Sequence, residues 1–129
     1  MAHAGGLAGI AVGGACGALL RHGLGALVHR NFAPTGTFPW GTLAVNVVGC
    51  LAIGALAGLD LRGLPLPYGA RLLLVVGLLG GFTTFSSFGI ETFRMLHAGE
   101  FAPALLYVGL TNLAGLGAVA LGFRIAGRI

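Results

Sequence analysis

The chain has 129 residues, of which 57% are apolar, 25 are glycine and only 8% are charged. Soluble domains carry about 25% charged residues, and disordered chains combine low hydrophobicity with high charge, so the composition excludes both classes. The net charge of +4 comes from arginines scattered along the chain, whereas a nucleic-acid-binding protein gathers its basic residues into a patch. With a mean hydropathy of +0.97, the chain is expected to be an integral membrane protein with no nucleic-acid partner.

Four apolar stretches are long enough to cross a membrane, because a transmembrane helix needs about 20 mostly apolar residues. They cover approximately residues 5–28, 40–59, 72–93 and 103–123. The connections between them contain helix-breaking residues such as Pro34, Gly63 and Gly99. We therefore predict an all-α membrane protein with four transmembrane helices, organised as one domain over residues 1–129.

The arginines outside the membrane differ little between its two faces. Four spans place both termini on one side, with Arg62, Arg71, Arg124 and Arg128 there and Arg30 and Arg94 on the other. This small excess favours cytoplasmic termini only weakly under the positive-inside rule, and it permits insertion in both orientations. Because a four-helix bundle this short has little interior once its side chains are packed, a transport path is expected to need a second copy.

Small residues in the first two spans predict close contact between helices. In the first span glycine recurs at every fourth position, as Gly5, Gly9, Gly13 and Gly17. Gly54 and Gly58 repeat the spacing in the second span, and such small-xxx-small patterns let helix backbones approach. Cys16 and Cys50 fall in the same two spans and are interpreted as small hydrophobes.

Polar side chains inside these spans are candidates for function, since an ionisable or amide group at membrane depth is expensive unless it faces protein or water. Arg21 lies four residues after Gly17, on the same face of the first helix as the repeated glycines, so it is expected to face another helix. A vestibule or structural role is expected for both Arg21 and Glu91. Arg21 is expected to pair with Glu91, to bind a loop carbonyl or to attract an anion; the alternative is that it only snorkels to the interface. Asn46 lies one turn after Thr42. Its amide can donate to an anion, although hydrogen bonding between helices is favoured.

The middle of the third span has an unusual composition for a membrane helix. It combines two glycines, four hydroxyls and three phenylalanines in the run Gly80-Gly81-Phe82-Thr83-Thr84-Phe85-Ser86-Ser87-Phe88-Gly89. Glycine loosens a helix, and hydroxyls can satisfy backbone groups that a break sets free, so we predict that this helix is broken. Phe85 and Phe88 project from neighbouring positions, and the electropositive edges of their rings can face a small anion. Simple packing is the alternative for both features.

The fourth span presents two hydroxyls on one face. Tyr107, Thr111 and Gly115 follow one another at intervals of four residues, which predicts a polar track that ends in a gap. Hydrogen bonding between helices explains the same stripe equally well.

Three motifs occur in chain order in the first three spans. They are Gly17-Ala18 followed by Arg21, the run Trp40-Gly41-Thr42-Leu43 leading to Asn46 and Gly49, and the run Gly80-Gly81-Phe82-Thr83-Thr84-Phe85-Ser86-Ser87-Phe88. Together these motifs resemble those of the Fluc family of fluoride channels, also called CrcB proteins, over nearly the whole chain. The last run is close to the signature of that family, Gly-Gly-x-Thr-Thr-Phe-Ser-Thr-Phe.

The resemblance implies a fluoride-selective passive channel in the inner membrane of a prokaryotic cell, which exports fluoride through two pores of an antiparallel, dual-topology homodimer. It implies a structural sodium ion at the dimer centre, held by the backbone carbonyls of Gly80 and Thr83. Carried over by position, the residues of the fluoride pathway are Asn46, Phe85 and Phe88, with Ser86, Ser87, Tyr107 and Thr111 beside or along it.

The chain departs from the family pattern at three positions. Ser87 stands where threonine is commoner, and His22 stands where a larger aromatic residue is frequent. Gly115 occupies a position where a third hydroxyl often continues the track of the fourth helix.

Two other functions remain open from the residues alone. A proton-coupled exporter needs a carboxylate within the membrane, and the first three spans offer only Glu91, near a helix end. A scaffold subunit would use the glycines and hydroxyls for packing alone. An enzyme is not expected, because the sequence contains no paired carboxylates, nucleophile with base, or metal-ligand spacing.

Overall fold

The structure is a computed structural model that describes residues 2–32 and 36–128. Within them all regular secondary structure is helical. Helix α1 covers Ala2–Phe32, α2 covers Trp40–Leu61 and α6 covers Phe101–Arg128, while the third span is divided. In the described part of the chain, four helical spans are long and apolar enough to cross a membrane. The prediction of an all-α protein with four transmembrane helices is confirmed, and the single-domain organisation stays a prediction.

The third span, Tyr68–His97, consists of four segments. They are α3 (Tyr68–Arg71), a π-helical segment (Leu72–Leu79), α4 (Gly80–Phe82) and α5 (Phe85–His97). Between α4 and α5 the backbone is extended, with φ and ψ of −81° and 161° at Thr83 and of −153° and 124° at Thr84. The predicted break of this helix is therefore confirmed.

The helices run beyond the apolar stretches from which they were predicted. The spans are Ala4–Phe32, Trp40–Leu61, Tyr68–His97 and Phe101–Arg128. Polar and aromatic residues end an apolar run without ending the backbone hydrogen bonds of a helix, and their side chains can reach the membrane interface. Pro34, in the first connection, lies outside the described residues.

Glycines end two of the helices, as predicted. Gly63 follows α2 with a φ of +73°, and Gly99 follows α5 with a φ of +78°. Side chains with a Cβ rarely adopt this left-handed conformation. It lets the Leu64 N–H donate to the Leu59 carbonyl (3.1 Å) and the Glu100 N–H donate to the Met95 carbonyl (2.8 Å), so the last turn of each helix is capped.

The first span packs against the third through glycine. Gly13 and Gly17 are buried, and a Cβ on either would overlap the carbonyl oxygen of Leu73 or Leu78. Gly5, in contrast, has no neighbour within 4 Å. Residues four apart in an α-helix differ by about 40° around the axis, so three such steps turn Gly5 about 120° away from Gly17. Close contact is confirmed at Gly13 and Gly17, whereas Gly5 makes no such contact with the described residues of its own chain.

The second span packs against the fourth in the same way. A Cβ on Gly54 would overlap the backbone of Val119, and one on Gly122 would overlap the backbone of Leu51. Gly58 lies against Phe123, so the predicted role of Gly54 and Gly58 is confirmed.

Candidate functional site: a groove at the broken helix

Asn46 of α2 binds both backbone polar groups of one residue in the break, Thr84. Its Nδ2 donates to the Thr84 carbonyl at 3.0 Å, and its Oδ1 accepts from the Thr84 N–H at 2.9 Å. The predicted hydrogen bonding between helices is confirmed. An amide has two N–H groups and two oxygen lone pairs, so one of each remains beyond these two bonds.

The break sets free the carbonyl group of Gly80. In an unbroken helix this carbonyl accepts from the N–H four residues later, which belongs to Thr84. That N–H donates to Asn46 instead. An unwound helix exposes carbonyls in this way where they face a protected cavity or a cation.

Arg21 reaches the same break from α1. Its Nη1 donates to the Thr83 carbonyl at 3.3 Å. Among the alternatives considered from the sequence, the structure therefore shows the bond to a loop carbonyl. A carbonyl oxygen has two lone pairs, and Arg21 uses one of those on Thr83.

A groove of about 460 Å³ runs along the break between α2, the third span and α6. Several predicted site residues line it, namely Asn46, Gly80, Thr83, Phe85, Phe88 and Thr111. The structure thus brings together residues from three spans that the sequence separates widely. The lining is mainly apolar, with a few polar groups that converge on the break.

Thr111 brings an unsatisfied hydroxyl to this groove. Its Oγ1 is buried and has no hydrogen-bond partner among the residues that the structure describes. A buried hydroxyl without a partner costs about 1–3 kcal/mol. A polar atom or an ion in the groove would remove this cost by bonding to the hydroxyl. Thr111 is therefore a candidate contact for a ligand in the groove.

Aromatic rings extend from the groove into the core. The ring centroid of Phe88 lies 5.6 Å from that of Phe85 and 5.2 Å from that of Tyr107. Phe38 continues the series at 5.5 Å from Tyr107, edge to face. Phe85, at the other end, is 82% exposed. Both Phe85 and Phe88 line the groove, with the exposed Phe85 at its mouth, and the edge of an aromatic ring is weakly electropositive.

Glu91 joins the second and fourth spans. Its Oε1 accepts from the Thr42 hydroxyl and its Oε2 accepts from the Tyr107 hydroxyl, each at 2.7 Å. Tyr107 is fully buried, and its hydroxyl faces Glu91 instead of the groove. The predicted polar track is therefore not continuous, because the Tyr107 hydroxyl bonds to Glu91, whereas the Thr111 hydroxyl has no partner among the residues that the structure covers.

The two serines of the third span lie at the start of α5. Thr84 caps this helix, since its Oγ1 accepts from the Ser87 N–H at 3.2 Å. The hydroxyls of Ser86 and Ser87 lie 3.3 Å and 3.2 Å from the same oxygen. Neither serine lines the groove. Ser87 lines a separate crevice of about 270 Å³, together with Arg21 and His22.

Sequence reasoning overlooked two residues of the site. Thr84 received no separate role, although a threonine directly before a helix start is a common N-cap. Cys50 was interpreted as a small hydrophobe, but it lines the groove, one helical turn after Asn46. A Cβ on Gly115 would lie 3.4 Å from its sulfur, so the missing side chain at Gly115 leaves room for this thiol.

Replacing Asn46 by leucine is expected to destabilise the folded protein by about 2–6 kcal/mol, because both backbone groups of Thr84 lose their partner and each costs about 1–3 kcal/mol. The matched control is Asn112→Leu. The Asn112 amide donates only to Val108 of its own helix, at 2.8 Å, so a much smaller loss is expected. Thermal unfolding of the purified protein in detergent measures both effects, and an equal loss in the two variants would contradict the role of Asn46.

The sequence of this chain is similar to those of known proteins over most of its length. A family profile described as "CrcB-like protein, Camphor Resistance (CrcB)" matches residues 8–123. A relative from Hyphomonas neptunium, named fluoride-specific ion channel FluC, is 49% identical and aligns over 93% of this chain and 94% of its own. Proteins of the same name from Thermus thermophilus and Chloroflexus aurantiacus are 48% and 46% identical, over 93% and 88% of this chain and 94% and 88% of their own.

Four apolar spans, the third of them a broken helix, define a small, multi-pass, helical membrane protein. The profile and the relatives together show that the chain belongs to the CrcB family. The resemblance inferred from the three motifs is confirmed. Two further predictions are also confirmed: the chain is a multi-pass bacterial membrane protein, and it belongs to a family of channels and not of enzymes.

Proposed function

We propose that this chain forms a fluoride-selective passive channel that exports fluoride from the cytoplasm. The observation that carries the proposal is a set of neutral groups that line one groove beside the break of the third span. These are the amide of Asn46 with its second N–H, the hydroxyl of Thr111, which has no partner among the described residues, and the rings of Phe85 and Phe88, whose edges are electropositive. The names of the relatives support fluoride as the ion.

Neutral donors suit the chemistry of fluoride. The ion is small and strongly hydrated, so a pore has to replace its water while binding it weakly enough for release. An amide, a hydroxyl and ring edges offer graded partial charges without a full counter-charge. The guanidinium of Arg21 is engaged at the Thr83 carbonyl. Chloride is larger, so a pathway that fits fluoride closely would exclude it by size.

The pathway is proposed to need a second copy. Phe85 is 82% exposed, and groove residues such as Asn46 carry polar groups that are expensive to leave against lipid. A second subunit would cover this face. In the proposed antiparallel homodimer each subunit covers the groove of its partner, which makes two pores, and the small arginine excess between the two faces supports dual topology.

A structural sodium ion at the dimer centre is part of the proposal. The carbonyl of Gly80 has lost its helical partner to the break, and the carbonyl of Thr83 keeps one lone pair beyond its bond from Arg21. Backbone carbonyls of unwound helices are suitable ligands for sodium. The residues present therefore fit such an ion, which would neutralise converging carbonyl dipoles and hold the two breaks together.

Ion efflux from liposomes tests the channel directly. Purified protein is reconstituted, and fluoride and chloride electrodes follow efflux side by side at the same imposed potential, with protein-free liposomes as the control. We expect fast fluoride efflux with chloride efflux at least about 100-fold slower, a difference of about 2.7 kcal/mol between barriers. No proton gradient should be required.

Three results would contradict the proposal. Chloride efflux comparable to fluoride efflux would show that the channel does not select fluoride over chloride. Fluoride flux that needs a proton gradient and is lost in Glu91→Gln would indicate a coupled exporter. The absence of flux from a folded, reconstituted protein would favour the scaffold role.

A further inference from the structure

The guanidinium of Arg21 lies at one of the two carbonyls that the proposed function assigns to sodium. Its Nη1 is 3.3 Å from the Thr83 oxygen, and the bond is partly buried. An arginine is always charged in a protein. A cation on the same oxygen would therefore share it with a permanent positive charge, in a place where water screens the repulsion poorly.

Glu91 is the acidic residue of the third span, which the structure describes throughout, and it forms no salt bridge with Arg21. Both oxygens of the Glu91 carboxylate are engaged elsewhere, by Thr42 and Tyr107. The bond from Arg21 also draws electron density from the lone pairs of the Thr83 oxygen. Both effects weaken the attraction of the oxygen for a second cation.

Other bonds hold the break in place without Arg21. Asn46 binds Thr84 through two hydrogen bonds. The Thr83 N–H and the Thr83 hydroxyl both donate to the Leu79 carbonyl, at 3.0 Å and 2.9 Å. The Thr83 carbonyl would thus keep its orientation if the guanidinium were removed, and it would gain a free lone pair.

We propose that Arg21 competes with the central cation for the Thr83 carbonyl and thereby limits how tightly the site holds sodium. The inference rests on the sodium ion of the proposed function. It leads to an unusual expectation, since loss of a polar residue at the site would tighten the binding of the ion.

Sodium-dependent thermal stability tests this competition without measuring flux. The unfolding midpoint of the purified dimer in detergent is titrated with sodium chloride at constant ionic strength, with choline chloride as the replacement salt. A ligand that binds only the folded state raises the midpoint as its concentration exceeds the dissociation constant. Each variant therefore yields an apparent affinity for sodium.

Two neutral variants, Arg21→Gln and Arg21→Met, are expected to bind sodium about tenfold more tightly than the unsubstituted protein, a change of about 1.4 kcal/mol. Testing both keeps the inference open to refutation if one fails to fold. Arg21→Lys keeps the charge, so its affinity should change by less than about threefold, or about 0.7 kcal/mol. Arg30→Gln removes an exposed charge from the same helix and should leave the affinity unchanged.

The same titration distinguishes failure of the Arg21 competition from failure of the sodium proposal itself. If sodium stabilises the unsubstituted protein but the neutral variants bind it no more tightly, Arg21 does not compete and the sodium site stands. A tightening of the same size in Arg30→Gln would indicate a general charge effect and would overturn the inference. If neither the unsubstituted protein nor any variant responds to sodium, the sodium proposal itself is wrong.

Discussion

Replacing Phe88 by isoleucine is expected to lower fluoride flux by about 100-fold or more, which corresponds to about 2.7 kcal/mol in the barrier. Isoleucine fills much of the same space but has no electropositive ring edge. The Phe88 ring lies between Phe85 and Tyr107, at centroid distances of 5.6 Å and 5.2 Å, so its loss removes the middle of the aromatic series. Phe85→Ile should have a similar effect at the mouth of the groove.

Electrode-measured efflux from liposomes checks this prediction, with Phe93→Ile as the matched control. Phe93 lies on the same helix, α5, but is 61% exposed and stacks on His97 instead of lining the groove. Its replacement should leave flux within about twofold, or about 0.4 kcal/mol. Size-exclusion chromatography establishes that each variant is folded and has the same oligomeric state. Full fluoride flux in both Phe85→Ile and Phe88→Ile would show that the ring edges do not contribute to conduction.

The substitution Gly122→Ala is expected to destabilise the protein by about 2–3 kcal/mol, because overpacking a close contact forces backbone shifts. The added methyl group would overlap the carbonyl oxygen of Leu51 and approach the Ala55 nitrogen at 2.8 Å. A backbone atom cannot rotate away as the end of a side chain can. The second and fourth spans would have to separate, and the groove that they enclose would widen.

Gly117→Ala on the same helix is the control, since a Cβ at this position meets nothing within 4 Å. Alanine favours a helix over glycine by about 1 kcal/mol, so this variant should be as stable as the unsubstituted protein or more stable. Thermal unfolding in detergent, followed by the fluorescence of the single tryptophan, Trp40, separates the two outcomes. A lower midpoint in Gly117→Ala than in Gly122→Ala would show that close helix packing does not determine stability here.

Local composition was sufficient to predict the architecture. Apolar runs of about 20 residues define membrane spans whatever their partners are, because the lipid itself imposes the requirement. The break of the third helix was predicted from the glycines and hydroxyls of Gly80 to Ser87, since these residues weaken a helix and can satisfy the backbone groups set free. The glycine spacing of Gly54 and Gly58 predicted a close helix contact, although it did not show which helix would be the partner.

The tertiary structure alone decided what the polar side chains bind. Arg21 bonds to a residue 62 positions away and Asn46 to one 38 positions away, so no local pattern distinguished a carbonyl, a carboxylate or an anion as the partner. Tyr107 and Thr111 lie one helical turn apart in the sequence, yet the Tyr107 hydroxyl bonds to Glu91 whereas the Thr111 hydroxyl has no partner in the described part of the chain. The physical reason is that spans form in response to the membrane, whereas a polar group inside it takes whichever partner helix packing brings within hydrogen-bond distance.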